Sequence, residues 1–388
     1  MTDARTYVGL LTTGPAGSAL ESAGGNRAHT ARSELVERLD AEIAYVERKT
    51  GVSVDPYGWR ALLGKADDAL AKLFGDGPDA RLGRDDVGGL EAVIATDGSR
   101  PVLFVEDDFV DVRAPSIGDY AAPLSRLEDA VRAVCRSVGR VDDPAAQPLG
   151  YQGTAWAVAE GIVVTNYHVL RAVAPSAVRR DGRFEGRLNP GVAVHFGHEV
   201  RDVRQDRRFP VRRVIAVGQQ GADEHVHPEL PNLNFDGLDL AVLELEPVPG
   251  RPFPAPITVA RGDDLRTMGA LANAGRGVYV VGYPGNEQST TPDLFVRLFA
   301  GVKSFKRLAP GRIVDAAGQV PHDPRGWVLT HDVSTLGGNS GSAVVDLDAD
   351  GRTALGLHFA GLHARQNWAH ALERTTREVN RMLPELLG

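Results

Sequence analysis

The chain has 388 residues, 43% hydrophobic and 24% charged, enough for two or three cores at roughly 100–200 residues per domain. No apolar run reaches the roughly 18 residues a helical membrane span needs, and 43 Lys and Arg against 51 Asp and Glu give a net charge of -8, which argues against nucleic-acid binding. The single cysteine, Cys135, excludes an internal disulfide and points to a cytoplasmic protein; Tyr7 to Leu20, broken by Gly14 and Pro15 and preceded by Asp3, suits neither the charged nor the apolar part of an export signal.

The charge is unevenly placed: residues 1–120 hold 13 basic and 21 acidic side chains, residues 121–388 hold 30 of each. That asymmetry marks a separate N-terminal unit whose acidic surface is a candidate protein-docking face. Residues 1–32, rich in Gly, Ala, Ser and Thr, are expected to form a flexible arm. Residues 33–120 read as a small α+β accessory domain. Leu35, Leu39, Ile43 and Val46 share one helix face, and Gly51 closes it. Asp55 reads as the N-cap of a second helix, with Pro56 first and a stripe of Trp59, Leu62, Leu63, Ala66, Leu70 and Phe74. Leu90–Ala95 and Val102–Val105 then read as a hairpin. Residues 121–137, with Leu124, Leu127, Val131 and Val134, read as a linker helix.

From residue 138 to 388 the pattern changes to short apolar runs such as Ile162–Thr165, Leu240–Leu245, Val278–Val281 and Ala343–Val345, punctuated by Gly, Pro and Asp. This is an all-β pattern of barrel or sandwich type, followed by an amphipathic helix from about Glu373 to Leu387. Between Arg179 and Arg213, 10 arginines and 5 acidic residues give +5, read as a solvated hairpin. His195, His198, His225 and His227 lack the cysteines and repeated spacing of a zinc site, so no metal is expected.

Three local sequences carry chemistry. Thr165-Asn-Tyr-His168 puts a histidine just after an apolar strand, at a turn where its ring can face a cleft. Asp239 opens the apolar run Leu240 to Leu245; burying its charge costs several kcal/mol unless something hydrogen-bonds it, and an imidazole N–H would serve. Asp236, followed by Gly237, reads as a turn residue. Gly337-Gly-Asn-Ser340-Gly presents a serine on a tight loop whose backbone N–H groups can converge on one point.

With His168, Asp239 and Ser340 in this order, residues 138–388 resemble a trypsin-like (chymotrypsin-fold) serine peptidase of the disulfide-free bacterial type. The resemblance implies a double six-stranded antiparallel barrel with the site in the crevice between barrels. It implies a catalytic triad of Ser340 (nucleophile), His168 (general base) and Asp239, with an oxyanion hole from the N–H groups of Gly338 and Ser340. The substrate is then a polypeptide, with no cofactor, nucleic acid or membrane. A silent binding module and an esterase using the same triad are the alternatives. Two departures stand out: Asn339 occupies the place where many members have aspartate, and Phe359 replaces the serine usual beside the buried carboxylate.

The residues five before and eighteen after Ser340, Thr335 and His358, fall where the family binds the side chain preceding the cut bond, with Phe359 and Gly361 beside them. Ser334-Thr-x-Gly-Gly-Asn-Ser followed by Gly-x-His-x-x-Gly is similar to the glutamyl endopeptidases. A hydroxyl and a protonated imidazole titrating near 6.5 would hold Glu, or Gln as its neutral isostere.

Overall fold

The computed structural model describes residues 26–51, 56–83 and, with breaks at 177, 181–182, 219–225, 228–229, 263–270, 286–303, 336 and 363–365, residues 100–382, together with isolated positions among 4–11 and 85–93. The chain divides into two compact units. One draws on Met1–Leu103 and Asp111–Ser125, the other on Phe104–Val110, Arg126–Asn286 and Ser304–Gly388.

The first unit is built on two helices, α1 (Asn26–Thr50) and α2 (Pro56–Asp76). Leu35, Leu39 and Ile43 of α1 pack with Leu62, Ala66 and Leu70 of α2 in one cluster, and Arg32 grips Asp67 with two hydrogen bonds. Helix α1 ends at Gly51, whose φ of +68° is the left-handed conformation a C-terminal glycine supplies. Two expectations change here. The stretch 1–32 is not a free arm throughout: α1 begins at Asn26, and Ala4 and Leu11 are buried in the same cluster, because the two helix stripes leave apolar surface to cover. Residues 12–25 lie outside the described residues. Leu90 and Val93 are helical rather than strand, their spacing of three turning both into the cluster; the rest of Leu90–Ala95 lies outside the described residues.

The second half of the expected hairpin is a strand, but it belongs to the other unit. Strand β1 (Leu103–Glu106) turns at Asp107-Asp108 into β2 (Phe109–Val110), with Val105 opposite Val110. Both turn residues have positive φ, +51° and +63°, as a two-residue hairpin turn matched to strand twist demands. The linker is two helices, α3 (Ala121–Arg126) and α4 (Glu128–Ser137), and α4 runs straight into the first barrel strand.

Six strands close the first barrel: β3 (Val138–Asp142), β4 (Tyr151–Ala159), β5 (Ile162–Thr165), β6 (Ala193–His195), β7 (Arg208–Val217) and β8 (Ala241–Leu245). Every pairing is antiparallel, and the ring runs β3-β4-β5-β8-β7-β6. Val141, Ala155, Val163, Phe209 and Leu243 fill it.

The second sheet contains β9 (Gly277–Gly282), β10 (Arg307–Arg312), β11 (Val328–His331), β12 (Ala343–Asp346), β13 (Thr353–Leu362) and β14 (Gln366–Ala371). They pair in the order β10-β9-β12-β13-β14-β11. The bridge between Ile313 and His331 and the bond from the Val314 N–H to the Thr330 carbonyl (2.9 Å) bring the two ends together. The β1–β2 hairpin extends this sheet beside β10, the Val105 N–H donating to the Lys306 carbonyl at 3.2 Å. Helix α6 (Leu372–Met382) continues directly from β14.

Candidate active site

Strand β5 ends at Thr165, and Asn166 starts the short helix α5 (Tyr167–Val173). Val169, Leu170 and Val173 are buried, which turns the ring of His168 outward, with 48% of its side chain exposed. Instead of capping α5, the Asn166 side chain donates to the Asp239 backbone carbonyl at 2.8 Å. That bond fixes the entry to β8 beside the entry to α5.

Asp239 stands between buried Leu238 and Leu240, and both its oxygens turn to His168. Oδ1 accepts the His168 backbone N–H at 2.9 Å, and Oδ2 lies 2.6 Å from Nδ1. Burial pulls the His168 pKa down, but the Asp239 charge and hydrogen bond outweigh it, so the imidazole sits above the ordinary 6.5. Burial conversely raises Asp239, and the His168 charge and hydrogen bonds, with a smaller contribution from His370, bring it below 3.8. Asp236 is elsewhere, paired with Arg325.

Ser340 lies on the loop before β12. A Cβ on Gly153 would fall 2.7 Å from Val169 and 3.0 Å from the Ser340 carbonyl, so the residue after His168 and the serine loop meet at one bare spot on β4. Among the described residues, the ring of His168 and the Ser340 hydroxyl share no hydrogen bond; contacts of this kind commonly tighten only when substrate arrives. Glycine is required on both sides of the serine. Gly338 and Gly341 have φ of +101° and +89°, and a Cβ would fall 2.3 Å from the Tyr283 carbonyl and 2.1 Å from the Thr154 carbonyl. Among the described residues, the N–H groups of Gly338 and Ser340 have no acceptor, although Gly338 is buried.

The expected pocket residues are brought together in part. The Thr335 hydroxyl donates to Asn367 Oδ1, so its proton is not available to a bound carboxylate. Gly361 lets that amide in, since a Cβ there would fall 2.3 Å from Asn367 Oδ1. His358 is only 3% exposed, with Nδ1 at 3.2 Å from Nε2 of buried His331. Burial and the nearby His168 charge push the His358 pKa down to about 3, and burial with His358 holds His331 well below the ordinary range. His358 is therefore neutral at physiological pH, not the protonated group the sequence suggested.

Phe359 does not line this pocket. A register shift between His358 and Ala360 makes it the extra residue of a bulge, and its ring stacks on His370 at 4.2 Å and meets Phe235 edge-on. His370 Nε2 in turn accepts the Asp239 backbone N–H at 2.9 Å. Sequence reading missed Thr154, His331, Asn367 and His370. Their signal is weak, since their partners lie far along the chain: Gly338 for Thr154, His358 for His331, Thr335 for Asn367 and Asp239 for His370. Among the described residues, no three His, Cys, Asp or Glu side chains are placed to hold a metal.

A closed six-stranded antiparallel barrel, a second sheet and a C-terminal helix make up the trypsin-like fold. The trypsin-like peptidase domain matches residues 153–356, and the chain belongs to that family of serine protease hydrolases. It is 29% identical over 335 residues to a relative from Lysobacter enzymogenes named "Probable serine protease FE772_23060", covering 81% of each chain. The solved active form of the Rv3671c protease from M. tuberculosis aligns at 19% identity over 67% of this chain and 86% of that one, with a TM-score of 0.38. An inactive form aligns at 18% identity over 67% and 96%, with a TM-score of 0.36.

Proposed function

We propose that the protein is an endopeptidase in which Ser340, His168 and Asp239 form the catalytic triad. The observation that carries this reading is the double hydrogen bond from His168 to Asp239 beside a serine loop with unsatisfied N–H groups. Asp239 fixes the Nδ1–H tautomer and leaves Nε2 as base. His168 takes the Ser340 proton as Oγ attacks the scissile carbonyl, and the N–H groups of Gly338 and Ser340 receive the oxyanion. Imidazolium then protonates the leaving amine, and water, deprotonated by His168, releases the acyl group and restores Ser340.

For the residue before the cut bond, a hydrogen-bond acceptor is favoured, Gln or Glu. If His331 Nε2–H donates to His358 Nδ1, its own orphaned Nδ1 is a bare acceptor, and His358 carries an Nε2–H with no partner among the described residues. The opposite tautomers would bury an orphaned N–H, the costlier choice. The acidic N-terminal unit serves as a regulatory or adaptor domain for a protein partner, and the protein acts in the cytoplasm.

Ser340→Ala and His168→Ala should each lower kcat on a peptide substrate on the order of 10⁶-fold with folding intact. Near-full turnover in either variant would contradict the triad, and an inert parent chain would favour a binding module.

A further inference from the structure

Around Ser340 the loop carbonyls are held one after another. The Gly337 carbonyl accepts the Gly285 N–H at 2.8 Å, the Asn339 carbonyl the Ser342 N–H at 2.9 Å, and the Ser340 carbonyl the Thr154 N–H at 2.9 Å. The Gly338 carbonyl differs in taking a side chain, the Thr154 hydroxyl, at 2.8 Å. In a planar trans peptide the C=O and N–H point to opposite sides, so holding each carbonyl also aims the N–H of the next residue. The Gly337 and Asn339 carbonyls thereby aim the Gly338 and Ser340 donors. The peptide between Gly338 and Asn339 joins those two planes.

Thr154 is fully buried and uses all its polar atoms. Its hydroxyl also accepts the Tyr283 N–H at 3.2 Å, and its carbonyl accepts the Thr165 hydroxyl at 2.6 Å. Thr165 closes the strand that leads to His168. One residue of the first barrel thus holds the serine loop, the end of β9 in the second sheet and the approach to the histidine. Valine has nearly the shape of threonine but would leave the buried Gly338 carbonyl without a donor.

Taking Ser340 as the nucleophile, we propose that the Thr154 hydroxyl is a positioning residue for the oxyanion hole: it holds the Gly338–Asn339 peptide so that the Gly338 and Ser340 N–H groups converge on one oxyanion.

The test uses the full chain. Thr154→Val should lower kcat about 10- to 100-fold, less than removal of an oxyanion donor itself, with KM within about twofold. Phosphonylation of Ser340 by a fluorophosphonate probe should slow by the same factor. Thr154→Ser, which keeps the hydroxyl, should stay within about threefold of the parent. Thr154→Ala carries the same test if valine prevents folding. A role confined to packing would lower the melting temperature of Thr154→Val while leaving kcat per folded molecule unchanged, and that result overturns the proposal. Equal losses in the Val and Ser variants also overturn it. Turnover surviving Ser340→Ala would overturn the nucleophile reading, and the role of Thr154 with it.

Discussion

His168 keeps one ring nitrogen for Asp239 and half its side chain toward solvent, and its raised pKa has a direct kinetic consequence. In the proposed triad the base must be neutral to take the Ser340 proton, so kcat/KM should fall as pH drops through a value above 6.5. Asp239→Asn removes the charge that raises it, so the residual activity of that variant should lose its acid limb toward lower pH while kcat falls by about 10⁴-fold. A pH profile of kcat/KM for both proteins checks this, and an unshifted limb would contradict the pairing. His358 behaves oppositely: buried and held neutral down to about 3, it gives Glu selectivity no titration of its own near neutrality. Preference for Gln and Glu over Lys and Arg should therefore hold steady between roughly pH 6 and 9 and be lost in His358→Ala, measured on peptide libraries. Selectivity decaying around pH 6.5 would instead indicate a protonated imidazole. The triad candidates were readable because each sits beside an apolar run, where an isolated polar residue needs a reason. His331, Asn367 and His370 were not, since their partners lie on other strands and loops, and the bulge at Phe359 inverts the facing that simple alternation assigns.

The β1–β2 hairpin shows the same limit among elements. The sequence pairs Val102–Val105 with Leu90–Ala95, but β1 pairs with Phe109–Val110, and Asp108 in its turn meets partners nearly a hundred residues away. Asp108 accepts Arg207 at 2.7 Å, Arg136 at 2.9 Å and Arg204 at 3.2 Å, while Glu199 accepts Arg204 at 2.9 Å and the Asp108 N–H at 3.1 Å. Lys306, fully buried, completes the cluster with bonds to Glu199 and to the Cys135 and Phe196 carbonyls. Arginines that count as +5 in a sequence window are thus largely paired, Arg208 with Asp142 and both Arg212 and Arg213 with Glu244. Burial raises the Asp108 pKa, but the hydrogen bonds from Arg207 and Arg136 and the nearby charges bring it down to about 2 from 3.8. A depressed carboxylate stabilises the fold above its unfolded pKa and loses that contribution as pH falls toward the folded value. Asp108→Ala should cost about 3 kcal/mol near neutrality, and the deficit should shrink as pH falls through this range. Urea unfolding at several pH values measures it; a deficit below about 0.5 kcal/mol would mean the hairpin is held by its backbone alone.

In the whole molecule, the first barrel supplies His168 and Asp239, and Ser340 comes from the loop before β12 of the second sheet. Short apolar runs separated by turn residues made the barrel and the second sheet legible, because each strand has an inner face to fill. The division at residues 103–110 was not legible, since it depends on which sheet edge the hairpin finds. Under the proposed triad, assembly of the serine loop should need no new chain end. Asn339 is buried with its amide packed over Gly282, where a Cβ would fall 2.4 Å from Oδ1, and a neutral amide offers a fresh α-ammonium no ion pair. The uncut chain should therefore be competent without cleavage. Treating the intact protein with a fluorophosphonate probe and mapping the adduct by mass spectrometry tests this most directly. The expected result is one adduct, on Ser340, in uncut chains and none in His168→Ala on the same timescale; a chain that labels only after cleavage near residues 138–150, or at another residue, would contradict it.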